Sequence, residues 1–196
     1  MRKIIVTEFI TLDGVIEAPG GDETDHPHAG WQFKYDSDVA GQYKVDEISS
    51  VSALLLGRKT FDVFAGYWPK QSGDPFSGPI NEMPKYVVST TVNKTDWNNC
   101  HFLKDVATDV AALKLTEGGD ILVYGSASIV KELLKHELVD ELRLMVHPLS
   151  VGGGLRIFDD SREMKKFDLK HSVVTKEGIL ILEYKPVKPN DYLHPV

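Results

Sequence analysis

The chain has a single cysteine, Cys100, among 196 residues, so no internal disulfide can form. A chain of this length buries well over half of its unfolded surface and needs neither disulfide nor metal to fold. A reducing compartment, the cytoplasm, is the expectation. Long apolar runs are also missing: nothing approaches the roughly 18 residues of a membrane span. Met1-Arg2-Lys3 passes directly into Ile4-Ile5-Val6, with polar Thr7 and Glu8 following, which reads as a strand and not as a secretory signal. Basic residues are in the minority, 22 against 29 acidic ones, and the net charge of −7 excludes a broad nucleic-acid surface. A local basic pocket remains allowed. No internal repeat and no low-complexity tract interrupts the chain.

What is present is an alternation of β-branched apolar runs with helical patterns. Strands are expected over 3–10, 53–57, 85–89, 101–103, 120–125 and 141–148, and a hairpin over 167–175 and 179–185 across Lys176-Glu177-Gly178. Helices are expected over 36–50 and from Arg58 to about Ala65. Two more should run from a cap at Asp105 to about Thr116, and from a cap at Ser126 to about His136. A glycine- and acid-rich loop fills 18–30, and a Pro/Gly-rich loop runs through Met83-Pro84. The pattern predicts an α/β fold: a mostly parallel sheet with an antiparallel C-terminal hairpin edge and helices on both faces. One domain should span 1–186, followed by a loose, proline-rich tail, 187–196.

Two strand-to-helix turns carry the chemistry. Leu54-Leu55-Leu56 leads into Gly57-Arg58-Lys59-Thr60, where glycine permits close approach and two cations flank a helix N-terminus. Ile121-Leu122-Val123-Tyr124 leads into Gly125-Ser126-Ala127-Ser128, again small residues where a helix opens. Unpaired N–H groups and the helix dipole make such ends attractive to phosphate. Taken alone, the first turn reads equally well as a plain strand-to-helix turn with two solvated cations, and the second reads better as a simple capped helix. Together they lie at the carboxyl ends of strands in one sheet, where open α/β sheets bind ligands. The strand Lys85-Tyr86-Val87-Val88 ends in Ser89-Thr90-Thr91, hydroxyls able to donate to a sugar phosphate or simply to form a turn.

The succession Thr11-Leu12-Asp13-Gly14, Leu56-Gly57-Arg58-Lys59-Thr60, Val88-Ser89-Thr90, Val123-Tyr124-Gly125-Ser126 and Val139-Asp140-Glu141-Leu142 resembles the dihydrofolate-reductase-like superfamily. Val139 to Leu144, with Pro148 and Gly152-Gly153-Gly154, is most similar to the C-terminal reductase domain of the bifunctional riboflavin-biosynthesis deaminase-reductase and its stand-alone relatives. The resemblance implies NADPH as cofactor, with Gly57, Arg58, Lys59 and Thr60 at the pyrophosphate and the adenosine 2′-phosphate. It places Ser89 and Thr90 beside that ribose phosphate, and Gly125, Ser126 and Ala127 at the pyrophosphate near the nicotinamide. Leu12, Asp13 and Gly14 would line the nicotinamide side of a cleft for a small pterin-like or ribosylamino-pyrimidine-like substrate. Asp36, five residues after Trp31, and Asp13 are the candidate proton donors. A homodimer is implied, and a non-catalytic NADP(H)-binding protein is the alternative. No partner in nucleic acid or membrane is expected.

Other features carry less. The loop Asp22-Glu23-Thr24-Asp25-His26-Pro27-His28 lacks the spacing of a metal-ligand pair, and no metal is assigned; it could serve as a lid instead. Ser126 and Ser128 lack the Gly-x-Ser-x-Gly context of a hydrolase nucleophile.

Overall fold

A computed structural model describes residues 1–21, 24–158 and 163–192. Its strands are β1 (Ile4–Thr11), β2 (Ala53–Gly57), β3 (Lys85–Val88), β4 (Cys100–Leu103), β5 (Ile121–Val123), β6 (Glu141–His147), β7 (Phe167–Val174) and β8 (Leu180–Pro186). They form one sheet in the order β4-β3-β2-β5-β1-β6-β8-β7. Every pairing from β4 across to β6 is parallel, and β8 and β7 add antiparallel strands at one edge. The carboxyl ends of β1, β2, β3, β5 and β6 therefore open on the same edge.

The parallel centre is apolar on both faces because helices cover both. Leu54, Leu55 and Leu56 are fully buried, each contributing ~2 kcal/mol by removal from water. One face joins Ile4, Val6, Leu55 and Val123 to Val110, Ile129, Val130 and Leu133. These last four lie on a π-turn (Val106–Val110), which runs into α4 (Ala111–Lys114), and on α5 (Ala127–Lys135). The opposite face joins Ile5, Leu54, Leu56 and Leu122 to Ile48, Phe61 and Ile80. Those side chains come from α1 (Asp38–Ser49), α2 (Arg58–Tyr67) and α3 (Ser77–Glu82).

A buried ionic network fastens α1 to the sheet. Lys44 Nζ donates to Thr7 Oγ1 at 2.8 Å and to Glu47, and lies 5.2 and 5.0 Å from the ring centres of Phe9 and Tyr124. Arg143 of β6 reaches Glu47 at 3.4 Å and Glu141 at 2.6 Å, and Tyr43 donates to Glu183 of β8. Pairing is what makes such burial tolerable.

Several local expectations are corrected. The first long helix begins at Asp38, not at Asp36: Ser37 is its cap, accepting from Ala40 N–H, so Asp36 lies outside it. The Pro/Gly-rich stretch before β3 contains α3. Its C-terminal carbonyls, on Ile80, Asn81 and Met83, accept from the fully buried Lys85 Nζ, a tertiary partner that local propensity cannot display. Asp105 caps as expected through Thr108 N–H, but the first turn it opens is π before it tightens to α. Ser126 holds the cap position of α5 without a side-chain cap bond, since its hydroxyl pairs with Ser128 at 3.0 Å. As far as Tyr192, the tail reaches back to the segment before β7. Val187 N–H donates to Lys166 O, and the Tyr192 hydroxyl accepts from Lys166 N–H. Residues 193–196 of that tail, and Asp22 and Glu23 of the acidic loop, lie outside the described residues.

Candidate functional site

The two glycine turns meet. Gly57 N–H donates to Gly125 O at 2.9 Å, and a Cβ on Gly57 would lie 2.2 Å from Ser126 Oγ and 2.9 Å from Ser126 N. Gly57 has an ordinary φ of −77°, so it is this close approach, not the backbone, that demands glycine. Gly125 has φ +102°, a region that glycine alone enters readily, and the Gly125–Ser126 peptide is cis. The openings of α2 and α5 are thereby brought side by side on one edge of the sheet.

Neither helix has a side-chain cap or an acidic residue in its first turn. First-turn N–H groups have no partner within a helix, so both ends present donors and partial positive charge. Arg58 and Lys59 add two exposed cations at the positive end of α2, where they oppose the dipole. Arg58 is offset by an ion pair with Asp62, one turn on. Ala127 opens α5 beside Ser126, and Thr60 is half-buried in the first turn of α2.

Ser89 and Thr90 follow β3, next to β2. Ser89 is buried and its Oγ accepts from Thr91 and Val92 N–H, closing a turn at the strand end. Thr90 is exposed. Both line a groove of about 650 Å³ that also takes in Thr91, Asn93, His101 and Lys104. On the other side, Leu12 follows β1 and is 66% exposed. From Leu12 to Ser89 the edge crosses the ends of β1, β5, β2 and β3, three strand spacings or ~14 Å. That length, with anion-seeking helix ends at its middle, fits a dinucleotide laid across the strands.

The two candidate acids have unequal settings. The Asp13 carboxylate accepts from Thr11 Oγ1 at 2.6 Å, Val151 N–H at 3.3 Å and Gly152 N–H at 2.8 Å. These bonds, the Thr11 hydroxyl foremost, hold it down at about 2. It is an ionised anchor for the 151–152 turn and has no proton to give at neutral pH. Asp36 is exposed and makes no hydrogen bond or ion pair among the described residues. The acidic loop docks on the same glycine turn: His26 Nε2 lies 2.9 Å from Gly153 O, and Trp31 is buried with its indole N–H donated to Glu17 O.

A residue that motif reasoning missed sits at the centre. Glu8 is the one charge in β1; burial drives its carboxyl up to about 8, with Lys44 pulling it down in part. Its Oε1 is buried and has no hydrogen-bond partner among the described residues. The sequence did hold a signal, because Glu8 interrupts the same-face series Ile4, Val6, Ile10, and an inward charge in a buried strand requires a reason.

Fold and edge together define a dihydrofolate-reductase-like α/β protein whose helix N-termini converge at the carboxyl end of a parallel sheet. Residues 2–181 match the sequence model of the RibD C-terminal domain, and the chain belongs to that family. It is 31% identical to the uncharacterized protein YyaP of Bacillus subtilis (strain 168), over 93% of this chain and 94% of that one. Among solved structures it superposes on a protein of Shewanella sp. PV-4 named for riboflavin biosynthesis, with a TM-score of 0.70 and 19% identity, covering 95% of this chain and 99% of the other. It also superposes on the diaminohydroxyphosphoribosylaminopyrimidine deaminase/5-amino-6-(5-phosphoribosylamino)uracil reductase of Thermotoga maritima. There the TM-score is 0.65 at 18% identity, covering 95% of this chain and 57% of that longer protein.

Proposed function

We propose that this protein is an NADPH-dependent reductase of a small pterin-like or ribosylamino-pyrimidine-like substrate. The observation that carries the reading is the contact of the Gly57 and Gly125 turns, which sets two uncapped helix N-termini side by side at the strand ends. Membership of the RibD C-terminal domain family supports a reductase. NADPH, when bound, supplies a hydride. The chain supplies binding and orientation.

Gly57 and Gly125 admit the pyrophosphate close to backbone, where Ser126 and Ala127 begin α5. Arg58 and Lys59, with Ser89 and Thr90 one strand further, hold the adenosine 2′-phosphate. Thr60, expected at the pyrophosphate, is assigned instead with Leu12 to the nicotinamide end, because its hydroxyl lies beside Gly125 near Glu8. Asp13 fixes the turn that borders the cleft, and the proton enters from solvent.

Consumption of NADPH in the presence of a pterin or a ribosylamino-pyrimidine tests the reading, with Arg58→Ala and Lys59→Ala beside the parent. Each variant should weaken NADPH about ten-fold or more and NADH little, because only NADPH carries the 2′-phosphate. Equal weakening of both cofactors contradicts that role. Binding without turnover of either substrate class leaves an NADP(H)-binding protein.

A further inference from the structure

Glu8 has no part in the chemistry so far described, and its position is costly. The residue is 8% exposed, and its Oε1 is buried without a partner among the described residues. Nothing among the described residues hydrogen-bonds to it: the cation on the opposite face of β1, Lys44, is engaged by Thr7 and Glu47. An unsatisfied buried oxygen carries the full cost of its lost hydration, so its retention points to a donor from outside the chain.

The surroundings narrow what that donor is. A Cβ on Gly125 would stand 3.6 Å from Glu8 Oε1 and 3.2 Å from Thr60 Oγ1, so both oxygens flank the spot where Gly125 omits a side chain. The Thr60 hydroxyl makes no hydrogen bond of its own among the described residues. One oxygen that accepts and one hydroxyl that donates thus border the same spot beside Gly125. A phosphate offers only acceptors and so brings no donor to Oε1. A primary carboxamide has N–H donors and a carbonyl acceptor on adjacent atoms and suits both. Burial keeps the Glu8 carboxyl neutral near pH 7, so it does not repel the pyrophosphate expected at the adjoining turn.

We infer that Glu8 is a cofactor-positioning residue that accepts an N–H of the nicotinamide carboxamide, while the Thr60 hydroxyl donates to the carbonyl of the same group. This rests on the NADPH reading above and adds to it a contact that fixes which way the ring faces.

The test compares binding of NADPH with that of its reduced 3-acetylpyridine analogue, in which a methyl group replaces the carboxamide nitrogen. Titration calorimetry of the full chain reads affinity without turnover. The parent protein should prefer NADPH by about ten-fold or more, the factor that one buried hydrogen bond supplies. Glu8→Leu, which removes the acceptor and relieves the buried carboxyl, should bind both dinucleotides alike. Glu8→Gln, which retains a carbonyl oxygen, should keep part of the preference. A purely structural role would change both affinities together and leave their ratio fixed. An unaltered ratio in Glu8→Leu and Glu8→Gln, with NADPH still bound, overturns the Glu8 assignment alone. Failure of the parent to bind NADPH at all overturns both it and the reading beneath it.

Discussion

Replacing Glu8 by glutamine should make the protein more stable in alkaline solution, by an amount that the buried carboxyl sets. In the unfolded chain this group titrates near 4.5, and in the folded protein burial raises it to about 8. Between those values the folded state holds a proton that the unfolded state has released. Stability therefore falls as pH rises across the window, by ~1.4 kcal/mol per pH unit where the two states differ by a whole proton. The contribution is fully present below 4.5 and is lost by about 8, a total of ~5 kcal/mol. Glutamine has no such titration. Urea unfolding of parent and Glu8→Gln at a series of pH values from 5 to 9 measures the difference directly, and the variant's advantage should grow through the window and level off above it. Parallel stability curves would refute the argument, since they would mean that Glu8 is solvated or paired in the folded state.

Gly57→Ala should destabilise the fold by ~1–3 kcal/mol and abolish NADPH binding, because its Cβ would collide with Ser126 while its backbone stays relaxed; chemical denaturation and calorimetry read the two effects. Asp13→Asn should cost ~1–2 kcal/mol at neutral pH through weakened bonds to the 151–152 turn. The parent's carboxylate is held at about 2, so its contribution is present above the ordinary aspartate range and lost as pH falls towards 2. Acid unfolding of the variant should lack that loss. A variant that follows the parent's acid limb contradicts the anchoring role.

The strands whose burial is continuous were legible because nothing in Leu54-Leu55-Leu56 or Ile121-Leu122-Val123 competes with a two-faced apolar environment. Their order was not. That β1 stands between β5 and β6 depends on pairings more than a hundred residues apart, for which local sequence holds no code. Gly78 and Pro79 disguised α3, whose end is completed by Lys85 from the next strand. At the site, glycine before a helix was readable as a motif, and its physical reason, the 2.2 Å approach to Ser126, emerged only with the other turn in place. Asp13 and Asp36 attracted notice as acids in motif positions, whereas Glu8 was read as a polar interruption of an apolar strand and passed over. A carboxyl is informative by the company it keeps, and that company is tertiary.

The most direct test of the central claim is thermal unfolding of the parent protein with NADPH and with NADH. A ligand at a hundred times its dissociation constant stabilises the folded state by about 2.7 kcal/mol, which raises Tm by about 5–10 °C in a chain of this size. NADPH should give that shift and NADH a clearly smaller one. Identical unfolding curves with and without either dinucleotide would contradict the claim that the Gly57 and Gly125 turns form a single phosphate-binding edge.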